Sequence, residues 1–239
     1  MQNNPDGKSD EVHERAAAFA NANKKSIARR LTDISKFPPD SIPITVFMAG
    51  SPGAGKTESA KNLILDVSAN HEVLRIDSDE VRVEFPDYNG SNSFLFQGAA
   101  SIVTDHMQDL ALKNGQSYIF DGTLTNIGRA RQNIQRNIAR DRRVFIVYVY
   151  QEPLQAWEFV KVREKIDGRH VPKDAFIEQY FCARANVNLL KKEFGSKIQV
   201  YLIVKNIAGP DIYYYQNIDN IDNHIEEKYT REQLQDVIH

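Results

Sequence analysis

The sequence has one cysteine, Cys182, among its 239 residues, and it has no long apolar run. A single thiol cannot form an internal disulfide, which is typical of a chain kept in a reducing compartment. The longest apolar run, Val144 to Tyr150, is far shorter than the ~18 residues that indicate a membrane-spanning helix. The N-terminus has no apolar segment behind a basic start, so no secretory signal is predicted and we expect a cytoplasmic protein without membrane partners.

An excess of positive charge is also missing. Thirty Lys and Arg against 32 Asp and Glu give a net charge of −2, so the whole chain has no field that would draw it to nucleic acid or anionic lipid. Hydrophobic residues make up 41% and charged residues 26% of the chain, which is ordinary for a folded globular protein. The sequence therefore predicts a globular chain whose binding properties are local.

The pattern of helix and strand formers predicts an α/β fold. Residues 10–34 are strong helix formers that end before Pro38-Pro39, which predicts an N-terminal helical segment over residues 1–40 and a main domain over 41–239. In that domain, short β-branched runs alternate with helical stretches, the signature of a parallel sheet with helices on both faces. The predicted strands span residues 42–49, 72–77, 117–121, 143–150 and 198–205, with irregular structure after Asn206 and a short capped helix over 230–238.

A glycine-rich motif follows the first predicted strand and precedes a helix. It fits G-x-x-x-x-G-K-[ST] at every position and consists of Gly50, Ser51, Pro52, Gly53, Ala54, Gly55, Lys56 and Thr57. Glycines let backbone N–H groups curl around phosphate oxygens at the positive end of the following helix. Lys56 then reaches the β- and γ-phosphates, and the Thr57 hydroxyl coordinates Mg²⁺. The motif predicts a P-loop NTPase-type domain that binds a nucleotide such as ATP with Mg²⁺.

Two strand ends carry carboxylates where an α/β sheet places its ligand crevice. Asp77 and Asp79 follow the second strand, and Asp79 is the candidate base that accepts the proton of a substrate hydroxyl. The alternative is a purely structural role, in which one of the two only caps the next helix, and it applies better to Asp77. Asp121 ends the third strand, where a carboxylate suits Mg²⁺, a water on it or a substrate hydroxyl, although a turn Asp before glycine is common.

Basic residues complete the candidate set. Arg163 near a helix end and Arg169 beyond the Asp167-Gly168 break are spaced as a cover that brings guanidinium groups over transferring phosphate; solvated surface arginines are the alternative. Residues 129–143 hold six arginines and one aspartate, but no aromatics alternate with them. A solvated helix face is therefore favoured over a polynucleotide site. No N-K-x-D sequence exists to read guanine, which disfavours a GTPase switch.

In this order the motifs resemble those of the zeta toxins, P-loop kinases of bacterial toxin-antitoxin systems that phosphorylate UDP-N-acetylglucosamine. Residues 76–79, Ile-Asp-Ser-Asp, are similar to the family's I-D-x-D, and residues 120–123, Phe-Asp-Gly-Thr, to its acidic-Gly-Thr strand end. The family often has Glu where this chain has Asp121. Arg163 before Glu164, and Arg169 before Val171-Pro172, resemble the two phosphate arginines. The resemblance extends over about residues 42–205.

This resemblance implies an ATP- and Mg²⁺-dependent kinase with UDP-N-acetylglucosamine as acceptor and an antitoxin protein that covers the nucleotide site. It implies that Asp79 is the base, that Asp121 and Thr123 hold the sugar, and that Arg163 and Arg169 stabilise charge in transfer. Two alternatives stay open: a P-loop kinase of a nucleic acid 5′ end or a small antibiotic, and a nucleotide-dependent switch or binding module. They differ in whether an acceptor is phosphorylated, and which one.

Overall fold

The computed structural model describes residues 5–67, 72–205 and 212–239, without side chains for 5–8 and 64–67. Within these residues one six-stranded sheet has the order β2-β3-β1-β4-β5-β6. The strands are β1 (Ile44–Ala49), β2 (Leu74–Asp77), β3 (Tyr118–Asp121), β4 (Arg143–Tyr150), β5 (Ile198–Lys205) and β6 (Ile212–Tyr215). The first five are parallel, and β6 pairs antiparallel with β5.

Helices lie on both faces of the sheet. They are α1 (Pro5–Leu31), α2 (Lys56–Val67), α3 (Ser78–Arg82), α4 (Gln97–Asn114), α5 (Ile127–Ile138), α6 (Pro153–Asp167), α7 (Lys173–Phe194) and α8 (Arg231–Val237). Buried residues of β1 alternate between the two sides: Phe47 and Ala49 join a core that includes side chains of α5, α6 and α7, whereas Val46 and Met48 join one that includes Ala60 of α2. Alternation of this kind is what a strand between two helical layers requires.

The parallel α/β prediction is confirmed, with differences at its ends. The N-terminal helix runs from Pro5 to Leu31 rather than from Asp10 to Ile34. It packs along α4 through buried Ala16, Ala20 and Ala28, small side chains that let two helices approach closely. The sequence interpretation of residues 213–215 as irregular was wrong, because Tyr213, Tyr214 and Tyr215 belong to β6. Four residues on an exposed edge bury too few apolar atoms to give a clear strand signal.

Local signals set the ends of several elements. The last helix begins at a capping box, in which Thr230 accepts from the Gln233 N–H and the Gln233 side chain accepts from the Thr230 N–H. Helix α4 ends at Gly115, which adopts the left-handed conformation that side chains disfavour. Parallel pairing then brings the carboxyl ends of β1 to β5 to one edge of the sheet. The predicted site residues follow these strand ends.

Candidate active site

The P-loop residues 50–57 connect β1 to α2 as the sequence predicts. Gly53 has φ +75°, and a Cβ built there would lie 2.0 Å from the Ala156 carbonyl oxygen, so only glycine fits. The Lys56 side chain folds back along the loop, where its Nζ donates to the Ser51 carbonyl oxygen at 2.6 Å. Burial lowers the pKa of Lys56 to about 8, and the carboxylate of Asp121 opposes this shift most strongly. The ammonium therefore sits in a desolvated cradle with a carboxylate nearby.

A single cleft of about 1530 Å³ brings the predicted site residues together. Those that line it are Pro52, Gly53, Ala54, Gly55, Lys56, Thr57, Asp79, Asp121, Thr123, Arg163 and Arg169. Gly50 and Ser51, which do not line it, form the start of the loop, and Ser51 is buried and supplies the carbonyl that Lys56 contacts. The cleft thus joins the P-loop to the ends of β2 and β3.

Asp77 and Asp79 divide their roles as the strand period suggests. Asp77 ends β2 and caps α3, because its Oδ1 accepts from the Asp79 N–H at 2.8 Å. Burial, followed by the nearby charges of Asp79 and Asp121, raises the pKa of Asp77 to about 6. Asp79 lies in the first turn of α3 with its side chain partly exposed to the cleft. The capping interpretation therefore applies to Asp77, and the Asp79 side chain takes no part in the cap.

Three arginines converge on the Asp79 carboxylate. Arg82 Nη1 donates to Oδ1 at 2.5 Å, Arg169 Nη1 donates to Oδ2, and Arg163 Nη2 lies 3.5 Å from Oδ2. Arg169 is also held by Asp167, whose Oδ2 accepts from Arg169 Nη2 at 2.5 Å. Partial burial raises the pKa of Asp167, but the hydrogen bonds from Arg169 outweigh it and leave this pKa lowered. The two predicted arginines therefore face the cleft rather than bulk solvent alone.

Arg75 is a site residue that the sequence analysis missed. It lies on β2 and bridges the ends of two strands, donating to Asp77 Oδ2 and, at 3.2 Å from Nε, to Asp121 Oδ2. A third bond to Glu80 at 2.7 Å completes its contacts. The signal was present, because Arg75 and Asp77 are two residues apart in a strand and so share one face. This guanidinium offsets the mutual repulsion of the carboxylates at the strand ends.

Thr123 and Thr125 extend the wall of the cleft beyond β3, with their hydroxyl oxygens 3.0 Å apart. The residue between them, Leu124, has φ +60° and so turns the chain sharply before α5. Asn126 caps α5 by accepting from the Arg129 N–H at 3.0 Å. The wall beside Asp121 is therefore built from hydroxyl and amide groups, which suit a polar acceptor.

The residues present fit a magnesium ion bound with nucleotide. Mg²⁺ uses one or two protein oxygens and takes its remaining ligands from phosphates and water. The Thr57 hydroxyl opens α2 beside the P-loop, and the charge of Asp121 acts directly on Lys56. The Thr57 hydroxyl would hold the ion beside the phosphates. Among the described residues, no group of three or more His, Cys, Asp or Glu is placed to hold a metal ion by itself.

The arginine-rich stretch of residues 129–143 is partly neutralised. Three of its arginines form ion pairs with carboxylates of neighbouring helices, namely Arg129 with Asp105, Arg131 with Glu193 and Arg136 with Asp109. Arg142 is buried and donates to the backbone carbonyls of Ile44 and Gln116. The favoured interpretation, a helix face rather than a polynucleotide site, agrees with these contacts.

No helix in the described parts of the chain has the length and apolar character needed to cross a membrane.

The family model described as Zeta toxin matches residues 28–219. No curated protein sequence matches the chain.

Solved structures share the fold. The toxin-antitoxin system PezAT of the human pathogen Streptococcus pneumoniae contains a chain that is 14% identical, with a TM-score of 0.70 and coverage of 92% of this chain and 93% of that one. The complex of AvrRxo1-ORF1 and AvrRxo1-ORF2 with ATP contains a chain with a TM-score of 0.59, 14% identity and coverage of 90% and 70%. At such identities the likeness shows the fold.

Proposed function

The chain belongs to the zeta toxin family, and from that premise we propose that it is a toxin kinase that transfers the γ-phosphoryl group of ATP to a hydroxyl of UDP-N-acetylglucosamine. The observation that carries the proposal is the shared cleft: the P-loop lysine Lys56, the carboxylates Asp79 and Asp121, and the arginines Arg163 and Arg169 all line it. Phosphoryl transfer needs little covalent chemistry from the protein beyond positioning and charge stabilisation, which these groups can supply.

In the proposed reaction the acceptor hydroxyl oxygen forms a bond to the γ-phosphorus while the bond from that phosphorus to the β–γ bridging oxygen breaks. Products are ADP and the phosphorylated sugar nucleotide, and the hydroxyl proton passes to Asp79. Lys56 binds the β- and γ-phosphates, and Thr57 contributes a hydroxyl to Mg²⁺. Arg163 and Arg169, which pair with Asp79 in the free chain, turn to the charge that develops on the transferred group.

Acceptor binding is assigned to the β3 end of the cleft. Asp121 is buried and held by Arg75, so its carboxylate direction is fixed before a ligand arrives. Thr123 follows two residues later on the same wall. A fixed carboxylate with a neighbouring hydroxyl is suited to bind sugar hydroxyls, since it accepts their protons in hydrogen bonds. We assign these two residues to the sugar of the acceptor.

We extend the proposal to an antitoxin protein that covers this cleft. Four apolar side chains that line the cleft are exposed: Val83, Phe94, Phe159 and Val162. Exposed apolar groups around a polar cleft are typical of a protein-binding rim. The partner is tested by co-purification, and we expect the complex to lose the binding of a fluorescent ATP analogue.

The function is tested by mass spectrometry of UDP-N-acetylglucosamine incubated with the purified protein, ATP and Mg²⁺. We expect a mass increase of one phosphate that disappears with Lys56→Ala. ATP consumption by the wild type with unmodified sugar nucleotide would move the acceptor to another molecule. ATP binding without phosphorylation of any acceptor would instead favour a nucleotide-dependent binding module.

A further inference from the structure

Lys205, the last residue of β5, reaches the P-loop from a strand that only β4 separates from β1. Its Nζ donates to Glu58 Oε2 at 2.7 Å and lies 3.4 Å from the Gly55 carbonyl oxygen. The side chain lines the same cleft as Lys56 and is only 16% exposed. A second ammonium group therefore lies at the cradle, although it is 150 positions away in the sequence.

The close approach depends on the last glycine of the motif. Gly55 has φ +80°, and a Cβ built there would lie 2.4 Å from Lys205 Nζ. The Lys205 ammonium thus occupies space that any other residue at position 55 would fill. It also lies where the loop passes into α2, whereas Lys56 Nζ points back to the carbonyl of Ser51 at the start of the loop. The two ammonium groups are therefore directed to different ends of the cradle.

Stability alone is a weak reason for this arrangement. Glu58 is 72% exposed, and an ion pair with so exposed a partner adds little to folding. A largely buried ammonium beside a site built for phosphate has a stronger partner when the nucleotide is present, since a triphosphate carries several charges and excludes water from the cradle. The Glu58 side chain already lies largely in solvent.

We propose that Lys205 is a second phosphate-binding lysine of the nucleotide site. On nucleotide binding its ammonium exchanges the Glu58 carboxylate for the α-phosphate, while Lys56 serves the β- and γ-phosphates. The inference rests on the proposed function to the extent that the cleft binds a nucleotide. It adds that β5 contributes affinity for the part of the nucleotide that does not react, so that Lys205 acts on binding rather than on transfer.

The test is calorimetric titration of the intact protein with ATP, ADP and AMP, followed by steady-state kinetics. We expect Lys205→Gln to weaken the binding of all three ligands roughly tenfold, the size of a lost charge-assisted hydrogen bond. KM for ATP should rise by a similar factor with kcat changed less than about twofold. Lys205→Arg should restore most of the affinity. Lys161→Gln removes a lysine whose ion pair with Glu158 lies on α6, and it should bind as the wild type does.

Glu58→Gln separates phosphate binding from a structural role of the pair. If Lys205 binds phosphate, freeing it from Glu58 leaves nucleotide affinity unchanged or improves it. Equal weakening by Lys205→Gln and Glu58→Gln would overturn the inference, because it would mean that the ion pair only shapes the loop. Wild-type affinity in Lys205→Gln would overturn it as well, while leaving the kinase proposal intact. Failure of the wild type to bind ATP would overturn both.

Discussion

Arg169 donates from its Nη1 to Oδ2 of Asp79, across 90 positions of sequence, and so connects the break between α6 and α7 to the first turn of α3. Arg82 holds the other carboxylate oxygen, and Arg163 approaches the first at 3.5 Å. Guanidinium groups therefore engage both oxygens of the Asp79 carboxylate. In the proposed reaction Asp79 accepts the hydroxyl proton, so Arg163 and Arg169 must first leave its carboxylate. The proposal therefore links the release of Asp79 to phosphate binding.

The first prediction follows from this contact. Asp79→Asn should lower kcat for acceptor phosphorylation by about 10²- to 10⁴-fold, the range of a lost general base. Nucleotide affinity should be retained within about threefold, because without the negative charge of Asp79 the side chains of Arg163 and Arg169 are free to turn to the phosphates. Kinetics and calorimetric titration of the same preparation measure both effects.

Asp87→Asn is the matched control for this change. Asp87 is exposed, pairs at 3.2 Å with Arg15 of α1 and does not line the cleft. We expect its kcat to equal that of the wild type. Near-normal turnover in Asp79→Asn would assign the base to another residue.

A second prediction concerns the pH dependence of ATP binding. Burial lowers the pKa of Lys56 to about 8 in the free protein, whereas bound phosphates would raise it by stabilising the ammonium. Below pH 8 the lysine is already charged, so its ionisation leaves affinity constant. Above pH 8 the binding of ATP must take up a proton, and affinity should fall by up to about tenfold per pH unit.

Titrations at pH 9 in two buffers with different ionisation enthalpies measure this proton uptake directly. Lys56→Arg keeps the positive charge without titrating in this range, and its binding should show no such uptake. Equal uptake in the wild type and in Lys56→Arg would place the titrating group elsewhere in the chain.

The third prediction concerns folding stability. The pKa of Asp77 is raised to about 6, first by burial and then by Asp79 and Asp121. A carboxyl whose pKa is higher in the folded than in the unfolded state binds its proton more tightly when folded. Its contribution to the free energy of unfolding is therefore full at low pH and is lost as the pH rises from about 4 to 6.

Asp77→Asn keeps a side-chain oxygen for the α3 cap and removes the titrating charge. Urea unfolding at pH 4.5 and 7.5 should show that the stability of the variant relative to the wild type improves at the higher pH. The expected change is only about 1 kcal/mol, because at pH 7.5 the variant also lacks one of the three charged partners of Arg75. A relative stability that falls with pH would mean that the ion pair with Arg75 outweighs burial.

Local patterns in the sequence predicted the elements that place the site. The P-loop, the carboxylates Asp79 and Asp121, and the five parallel strands follow from short-range spacing, and each was identified. Contacts set by tertiary packing were not predictable in this way. Lys205 lies next to Gly55 because only one strand, β4, stands between β5 and β1 in the sheet. Strand order of this kind is not encoded in any local run of residues.

Charge count alone was also insufficient for the arginines of residues 129–143. Three of these arginines are paired with Asp105, Asp109 and Glu193, which approach from α4 and α7. Only the helix packing brings these carboxylates close.

The fourth prediction concerns Arg142 and Arg143, which are adjacent in sequence but differ in environment: Arg142 is buried and Arg143 is exposed.

Arg142 should be structural and Arg143 dispensable. Arg142 Nη2 donates to the Gln116 carbonyl oxygen at 2.6 Å and the Ile44 carbonyl oxygen at 3.0 Å, and its Nε donates to the Thr45 hydroxyl at 3.1 Å. Arg142→Met removes these three hydrogen bonds and should lower the free energy of unfolding by about 2–3 kcal/mol. Arg143→Met should change it by less than about 0.5 kcal/mol. Neither the wild type nor Arg143→Met should retain an oligonucleotide at low salt. Salt-sensitive retention by the wild type that Arg143→Met weakens would instead mean that this stretch binds a polynucleotide.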